Sequence, residues 1–512
     1  MAERYESLIN ETMNISRVFW ALLPAAIIMG LAAWLRGAEY DEQYTLFLTA
    51  GAARPDWPTG VFSAGLAHTL QSGHAGPIGI GMDLRGMDVH PPLYFWLAAL
   101  WRAVFGDSLF VARLFSVAAG LGTLAVTGMI ARRSGVSPNR AILITLGCYG
   151  FAYTAGIARG FALAELSLMG GVLCLLWERR ARFTLTAGAL FGLAVLTNYL
   201  AAFVVLACLL MLVAELIIPT WHNTEPGPLI RRSWATAAAL VGFSAFLPAI
   251  LWWFLAQKGS RDGQFPPFSV LSSLVRLARS MGGAIMGGLP LYVEGIPSTL
   301  LIAALGIALA AMAGMVVWHW RGIGDQRARC LFAMGAAAPG LGLLILGAVF
   351  NNTPIEVRYL SFAMPFVGLL LAGALTAPMA GGVLAVQAVA IAGLLLAPQT
   401  MQPARAAARA AAALADGGVV FLPRGNDGVG VVGAFAIEAP PELPLLLIKG
   451  TDTTDSIRAK TAGHRRIVVV PLMQDDDSRI ASTSMLAAFA DPAWREVGRH
   501  DRVLVFERNG PR

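Results

Sequence analysis

Charged residues are scarce in this sequence. Only 13% of its 512 residues are Asp, Glu, Lys or Arg, whereas 56% are apolar and the mean hydropathy is +0.64. Soluble domains carry about 25% charged residues, so this composition predicts a polytopic membrane protein. The net charge of +7 comes from short Arg clusters between apolar runs. That arrangement is typical of membrane-topology signals, so we expect membrane lipids, and no nucleic acid, as partners.

Cysteine is scarce as well. The four cysteines lie in or beside apolar runs at no metal-ligand spacing, which predicts small core residues: Cys148, Cys174, Cys208 and Cys330. A cleavable signal peptide is also not evident, because the first apolar run, 18–35, lacks a small-x-small cleavage site. We interpret this run as a signal anchor and first span.

Long apolar runs are abundant. A membrane span needs roughly 20 apolar residues, and the sequence predicts about eleven spans, at 18–35, 110–131, 140–157, 160–177, 184–197, 200–218, 234–256, 297–318, 331–350, 359–377 and 381–397. If the N-terminus is cytoplasmic, the inside loops hold most of the Arg residues: Arg132, Arg133, Arg140, Arg179, Arg180, Arg182, Arg231, Arg232, Arg321, Arg327 and Arg329. The positive-inside rule favours this orientation. It places 36–109, 257–296, 351–358 and the C-terminal region outside.

Two outside loops contain further helical patterns. The segment 90–105 is too short to span and has Trp96, Trp101 and Arg102, which suit a membrane interface, so we expect an interfacial helix there. The loop 257–296 contains a short amphipathic pattern at 270–280, and a lid and a plain connector both remain open for it.

The composition changes after residue 398. Short apolar runs between charged and Gly- or Pro-rich stretches predict strands at 419–422, 445–448, 467–470 and 503–506, with helices near 403–415 and 478–489. We therefore expect a transmembrane domain at 1–398 and a small soluble α/β domain at 399–512. The acidic run 475–477 indicates a helix cap better than a cation site.

The adjacent acids Asp41 and Glu42 follow the first span directly. Carboxylates are costly to place near hydrocarbon, so a pair there indicates function. One acid can accept a proton from an incoming hydroxyl while its neighbour orients the acceptor or a cation. The alternative is that both acids mark a water-facing boundary.

A second group of polar residues is predicted on the same side. Asp88 and His90 stand just before a Pro-started helix, where they suit acceptor positioning, phosphate binding, a divalent ion or simple helix capping. Further polar residues occupy the predicted outer ends of spans: Arg113, Arg159, Asn198, Tyr199, Arg358 and Tyr359. Arg holds phosphate oxygens well, although snorkelling to lipid headgroups is the alternative for each. Glu165 is placed to pair with Arg159.

These residues resemble the GT-C glycosyltransferases. The resemblance rests on the acid pair after the first span and on Asp-x-His-Pro-Pro-Leu-Tyr at 88–94, with weaker matches at 106–114, 158–163, 197–199 and 356–359. It is closest to bacterial relatives of dolichyl-phosphate-mannose–protein mannosyltransferases and of lipid A aminoarabinose transferases. Relatives often have His where this chain has Asn198, so the resemblance gives that residue no role.

The resemblance implies an α-helical polytopic membrane protein that transfers a sugar, with inversion, from a polyprenyl-phosphate-linked donor. The acceptor would be a glycan such as lipopolysaccharide, a glycolipid or a protein on the periplasmic or extracellular side of a bacterial inner membrane. Asp41 would activate the acceptor, with Glu42 as its acidic partner. Asp88, His90, Arg113, Arg159, Tyr199, Arg358 and Tyr359 would bind substrate. A divalent cation, Mg²⁺ or Mn²⁺, stays open.

A transporter or flippase of lipid-linked sugars is the alternative. It would explain the spans and the Arg residues near the membrane. It would not require an acid pair beside a Pro-started helix, and transporters often contain internal repeats, of which we find no convincing example in this sequence.

Overall fold

The computed structural model describes residues 20–177, 180–217, 229–257, 265–287, 298–396 and 403–509. Arg179, the ends of several predicted spans and two parts of the predicted 257–296 loop lie outside these ranges. Within them the chain is mostly helical with one small sheet. The N-terminal third contains the helices Leu22–Leu35, Tyr40–Ala50, Gly65–Gln71, Pro77–Met87, Leu93–Phe105, Leu109–Arg133, Pro138–Gly147, Tyr149–Ala155 and Phe161–Trp177.

The middle of the chain continues in the same way. Its helices are Ala181–Thr197, Ala201–Ile217, Leu229–Ser244, Leu247–Gln257, Val270–Met286, Ser298–Trp318, Gln326–Phe350, Met364–Ala374 and Ala377–Leu396, with 3-10 helices at Trp320–Gly322 and Val357–Ala363. Each predicted span thus overlaps helical structure. The amphipathic helix predicted at 270–280 exists and is longer than expected.

Two predicted spans are broken for visible reasons. The span 140–157 is split because Cys148 has extended backbone angles between two short helices. The span 234–256 bends by 47° between Ser244 and Leu247. Pro248 explains this bend, since its missing amide cannot donate to the carbonyl of Ser244.

Several helices are apolar enough for a membrane. Four described helical segments pass by length and composition, namely Leu109–Arg133, Gln326–Phe350, Val357–Ala374 and Ala377–Leu396. The number rises to six if the pairs Leu22–Leu35 with Tyr40–Ala50 and Leu229–Ser244 with Leu247–Gln257 each count once. Apolar helices of 10–17 residues are also present, and they are shorter than the candidate membrane spans. The count of about eleven spans stays a prediction.

The C-terminal region supplies five strands of a six-stranded sheet, and the N-terminal part of the chain supplies the sixth. The six strands are β1 (Phe62–Ser63), β2 (Val419–Pro423), β3 (Pro444–Ile448), β4 (Arg466–Val469), β5 (Trp494–His500) and β6 (Val503–Arg508), in the order β1-β3-β2-β4-β6-β5. Strand β2 is parallel to both β3 and β4, and the other pairs are antiparallel. The four predicted strands and both predicted helices (Pro403–Ala415 and Asp476–Phe489) are confirmed.

The sequence did not predict two strands and two helices of this region. Strand β5 was not predicted because only Trp494 of its seven residues is buried, so the strand lacks an apolar run. Strand β1 has just two residues and comes from the N-terminal loop. The helices Gly430–Glu438 and Thr454–Lys460 were missed as well. We call Gly430–Glu438, which connects β2 to β3, the docking helix.

The chain divides into two compact units. The first comprises 1–34, 84–94 and 113–396, and the second 35–83, 95–112 and 397–512. The C-terminal part of the second unit therefore begins close to the predicted domain boundary. The unit also includes two N-terminal segments, which contain the acid pair and most of the predicted interfacial helix.

Both faces of the sheet are covered in the second unit. Along β2, Val420 and Leu422 face one apolar layer, whereas Val419 and Phe421 face the other. The first layer includes Phe47 from the helix of the acid pair. Burial of Phe47 against the sheet layer therefore fixes that helix within the second unit.

Candidate active site

The acid pair lies in the first turn of the helix Tyr40–Ala50, which we call the acid-pair helix. Glu39 precedes it with extended backbone angles, as an N-terminal capping residue does. Carboxylates in a first helical turn are stabilised by the unpaired amides and the positive end of the helix dipole. The two acids differ in access, because Asp41 is partly exposed and Glu42 is completely buried.

Glu42 closes a capping box with Glu39. Its Oε2 accepts the backbone N–H of Glu39 at 3.0 Å, while the side chain of Glu39 accepts the backbone amide of Glu42. Arg36, which is also buried, lies 3.4 Å from the carboxylate of Glu39. Glu42 therefore defines the start of the helix, and Asp41 is the carboxylate of the pair that reaches the surface.

Arg102 fixes the other end of the acid-pair helix. Its guanidinium is fully buried and donates to the carbonyl of Leu46 at 3.0 Å, to the hydroxyl of Thr49 and to the carbonyl of Gln71 at 2.5 Å. A cation near a helix C-terminus is stabilised by the negative end of the helix dipole, and the Gln71 carbonyl, at the end of its own helix, gains a donor. The expectation that Arg102 suits a membrane interface is therefore wrong, since the side chain points into the second unit.

Asp88, His90 and Arg159 meet in the first unit. Nδ1 of His90 lies 2.8 Å from Oδ1 of Asp88, and Nη2 of Arg159 lies 3.0 Å from Nε2 of His90. Arg can only donate, so Nε2 accepts and Nδ1 carries the proton that is donated to Asp88. The contacts thus assign a neutral imidazole held between a carboxylate and a guanidinium.

This arrangement lowers the pKa of the Asp88 carboxylate. Burial by itself would raise its pKa, but the hydrogen bond from the His90 ring, the charge of Arg159 and the hydrogen bond from the Val89 amide together hold the pKa below its ordinary value. Asp88 is therefore ionised at neutral pH. Its side chain contacts the Val89 amide and the His90 ring, and the charge of Arg159 acts on it as well, which favours an electrostatic role over helix capping.

Arg159 is 4% exposed and so does not snorkel towards lipid headgroups. The predicted pair with Glu165 is wrong, because neither oxygen of the buried Glu165 carboxylate hydrogen-bonds to it. The guanidinium turns towards His90 instead. A buried cation of this kind is suited to an anion that enters the site.

The amide of Gln257 connects Tyr199 to this cluster, a link that sequence reasoning missed. Its Nε2 donates to the carbonyls of His90 at 3.0 Å and Leu84 at 2.8 Å, and its Oε1 accepts the hydroxyl of Tyr199 at 2.8 Å. The only sequence signal was its position as a polar residue at the end of a predicted apolar span. Tyr199 thus contacts the loop of His90 through Gln257.

Arg113 and Asn198 have local partners. Arg113 is buried and donates to the carbonyl of Ala33 at 3.0 Å, near the end of the first helix. Asn198 accepts the Leu200 amide at 3.0 Å and so stabilises the turn between two helices. These contacts are structural ones within the first unit.

Arg358 and Tyr359 form another group in the first unit. Nε of Arg358 lies 2.6 Å from a carboxylate oxygen of Glu356, and its guanidinium lies 5.3 Å from the centre of the Tyr359 ring. Arg276, from the helix Val270–Met286, donates to the carbonyl of Ile355 just before this group. This stretch therefore presents a second cation, which is 22% exposed, beside an aromatic ring.

Within the described residues, no three His, Cys, Asp or Glu side chains come together as metal ligands would. The divalent cation, Mg²⁺ or Mn²⁺, stays a prediction, and no step below depends on it.

Residues 89–252 match the family model of the dolichyl-phosphate-mannose–protein mannosyltransferases. The match includes His90, Arg113, Arg159 and Tyr199. The chain contains a GT-C glycosyltransferase domain. The resemblance that the 88–94 motif predicted is confirmed, and so is the prediction of a glycosyltransferase.

The fold agrees with this domain. Among solved structures, the chain is similar to ArnT from Cupriavidus metallidurans bound to undecaprenyl phosphate, with 13% identity over 97% of this chain and 99% of that one and a TM-score of 0.53. The apo state of the same protein gives 13% identity over 98% and 100%, with a TM-score of 0.51. At this identity the likeness shows the fold alone. No curated protein matches the chain in sequence.

Proposed function

We propose that the GT-C domain transfers a sugar from a polyprenyl-phosphate-linked donor to a glycan, glycolipid or protein acceptor, with inversion. The acceptor side of the reaction is carried by one observation, the difference between the two acids. Glu42 is buried and engaged in capping, whereas Asp41 is partly exposed at the start of the same helix. A partly exposed carboxylate held on a rigid element suits a general base.

The donor side rests on buried Arg. Arg159 is buried and oriented by His90, which is itself oriented by Asp88. A preorganised guanidinium in a water-poor site stabilises negative charge that develops on a leaving phosphate. The similar fold of an ArnT that binds undecaprenyl phosphate supports a donor of this class. Arg358, Arg113, Tyr199 and Tyr359 remain proposed substrate-binding residues.

In the proposed reaction, an acceptor hydroxyl attacks the anomeric carbon from the face opposite the phosphate. Its proton passes to Asp41 as the new carbon–oxygen bond forms. The bond between the anomeric carbon and the phosphate oxygen breaks, and its electron pair stays on that oxygen, so polyprenyl phosphate leaves. The transfer inverts the configuration at the anomeric carbon. General-base catalysis contributes about 10²- to 10⁴-fold in such steps.

The same reasoning extends to location. We place the chain in a bacterial inner membrane, with both the site and the region 399–512 on the periplasmic or extracellular side. The Arg-rich loops predicted inside support this orientation.

The proposal is tested by Asp41→Asn in detergent-solubilised protein. The donor is the lipid extract, and the acceptor the envelope fraction, of a strain that lacks the gene. We expect transfer to fall at least about 100-fold. Asp56→Asn, which changes an exposed acid of the same unit, is the matched control and should retain full transfer. Near-wild-type transfer by Asp41→Asn would refute Asp41 as the base.

Mass spectrometry of the same strain identifies the substrates. An accumulated lipid-linked sugar names the donor, and a truncated surface glycan names the acceptor. Accumulation without any transfer by solubilised wild-type protein would instead favour the flippase alternative.

A further inference from the structure

The acid-pair helix is packed closely against the docking helix. A Cβ at Gly430 would lie 2.3 Å from the Tyr40 ring, and a Cβ at Gly433 would lie 2.7 Å from the Phe47 ring and 2.8 Å from the Gln43 amide oxygen. Tyr40, Gln43 and Phe47 have the spacing that places residues on one helical face. Only glycine at both positions permits this approach, so the docking helix sets where the acid-pair helix lies.

Two phenols attach the same helix to loops of the sheet. The hydroxyl of Tyr40 donates to Oδ2 of Asp475 at 3.0 Å, and the hydroxyl of Tyr44 donates to Oδ2 of Asp427 at 2.7 Å. The two hydroxyl oxygens lie 3.0 Å apart. We call these four residues the phenol clamp.

The carboxylates of the phenol clamp are themselves fixed. Oδ1 of Asp475 caps the helix Asp476–Phe489 by accepting the amide of Ser478 at 2.7 Å. Asp427 follows β2 and accepts the amide of Val429 at 2.9 Å. It also pairs with Arg54. Each acid is therefore held by backbone contacts that do not depend on the phenols.

The phenols stay protonated. Burial raises the pKa of both Tyr40 and Tyr44, and the neighbouring carboxylates raise it further. Both hydroxyls therefore act as donors to the carboxylates throughout the physiological pH range.

A third contact acts just before the helix. Oε1 of Glu438, at the end of the docking helix, accepts the Ala38 amide at 2.6 Å. Arg405 lies 2.8 Å from the other oxygen of Glu438 and donates to the carbonyls of Leu35 and Arg36. The backbone of residues 35–38, just before the acid-pair helix, is thus held by the C-terminal region through both an amide and carbonyl groups.

We propose that Asp427 and Asp475 are positioning residues that orient Asp41 through the phenol clamp, which makes the C-terminal sheet part of the transfer machinery. This inference rests on the proposed role of Asp41 as base. Tyr40 and Asp41 share the first turn of the acid-pair helix, so a shift of the helix backbone after loss of the phenol clamp would also displace the Asp41 carboxylate. A misplacement of about 1 Å at a reacting group can cost about 100-fold in rate.

The test compares Tyr40→Phe, Asp475→Asn and the double variant. Tyr40→Phe keeps the ring against Gly430 and removes only the hydroxyl. Asn at 475 keeps the oxygen that caps its helix but replaces Oδ2 with a donor, which removes the acceptor of both the Tyr40 hydroxyl and the Asn426 amide. Transfer is measured with the lipid extract and envelope fraction described above, and undecaprenyl phosphate binding is measured separately.

We expect kcat to fall about ten- to 100-fold in each single variant. The loss in the double variant should be clearly smaller than the product of the two single losses, because both changes remove the contact between Tyr40 and Asp475. Undecaprenyl phosphate affinity should stay within about twofold, since the proposed phosphate residues belong to the other unit. Asp476→Asn is the matched control: it changes the next acid along, whose described partner is the exposed Arg479, and should behave as wild type.

Some outcomes would overturn the inference. Wild-type kcat in both single variants would show that the phenol clamp does not position Asp41. Multiplicative losses in the double variant would show two independent effects, and a parallel loss of kcat and undecaprenyl phosphate affinity would indicate general disruption. These results differ from failure of the proposed function, in which Asp41→Asn itself retains transfer.

Discussion

Substitutions of Glu42 can distinguish a structural role of its carboxylate from a role in the transfer reaction. Its carboxylate accepts the Glu39 amide at 3.0 Å from a fully buried position. A glutamine can make the same contact, because Gln also serves at this position of a capping box. We therefore expect Glu42→Gln to keep the helix start and to retain transfer within about fivefold. The neighbouring ion pair between Arg36 and Glu39 does not involve the Glu42 side chain and is retained.

Glu42→Ala removes the contact altogether. The Glu39 amide then loses its partner in a buried place, which costs about 1–3 kcal/mol, and the loss of a helix cap is worth about 1 kcal/mol. These two figures describe the same broken contact and do not add. We expect about 1–3 kcal/mol less stability, with transfer lowered because the start of the acid-pair helix loosens.

The assay measures both properties on one preparation. Thermal unfolding in detergent reports stability, and transfer from the lipid extract reports function. The expected order is wild type, then Glu42→Gln, then Glu42→Ala in both measurements. If Glu42→Gln unfolds as wild type does but loses transfer more than 100-fold, the negative charge of Glu42 takes part in the reaction and its assignment to capping is refuted.

Three further outcomes follow from the described contacts. Arg102→Met should lower stability by about 2–4 kcal/mol, since buried carbonyls lose their donor; an unchanged unfolding temperature would contradict its role at the helix end. Gln257→Leu should weaken undecaprenyl phosphate binding, measured by titration, because the loop of His90 loses its link to Tyr199; unchanged affinity counts against that link. The pKa of Asp88 is lowered, so its stabilising effect is complete above the ordinary value of about 3.9 and is lost as pH falls further. The stability difference between wild type and Asp88→Asn should therefore be constant from pH 5 to pH 9 and shrink only in stronger acid; a change near neutrality would contradict the assignment.

The sequence by itself determined the class of protein and the motif that identifies it. Apolar runs predict helices because a membrane offers no partner for an unpaired backbone amide, so composition and length suffice. The motif at 88–94 predicted a glycosyltransferase domain because it resembles a motif of the GT-C glycosyltransferases; its spacing alone left capping, phosphate binding and ion binding open. Strands such as β2 were predicted because they are buried on both faces and therefore read as continuous apolar runs.

Only the tertiary structure decided which partner each polar residue has. Arg159 was expected to meet Glu165 on the basis of helical spacing, yet it contacts His90. It precedes the helix Phe161–Trp177 that contains Glu165, so helical spacing does not apply to the pair. Arg102 was expected at a membrane interface because it stands beside tryptophans in a short apolar segment. It is instead buried against the acid-pair helix. The phenol clamp joins Tyr40 to Asp475, a pair that lies 435 positions apart. No local pattern encodes such a contact, because it exists only after the N-terminal loop packs on the C-terminal sheet.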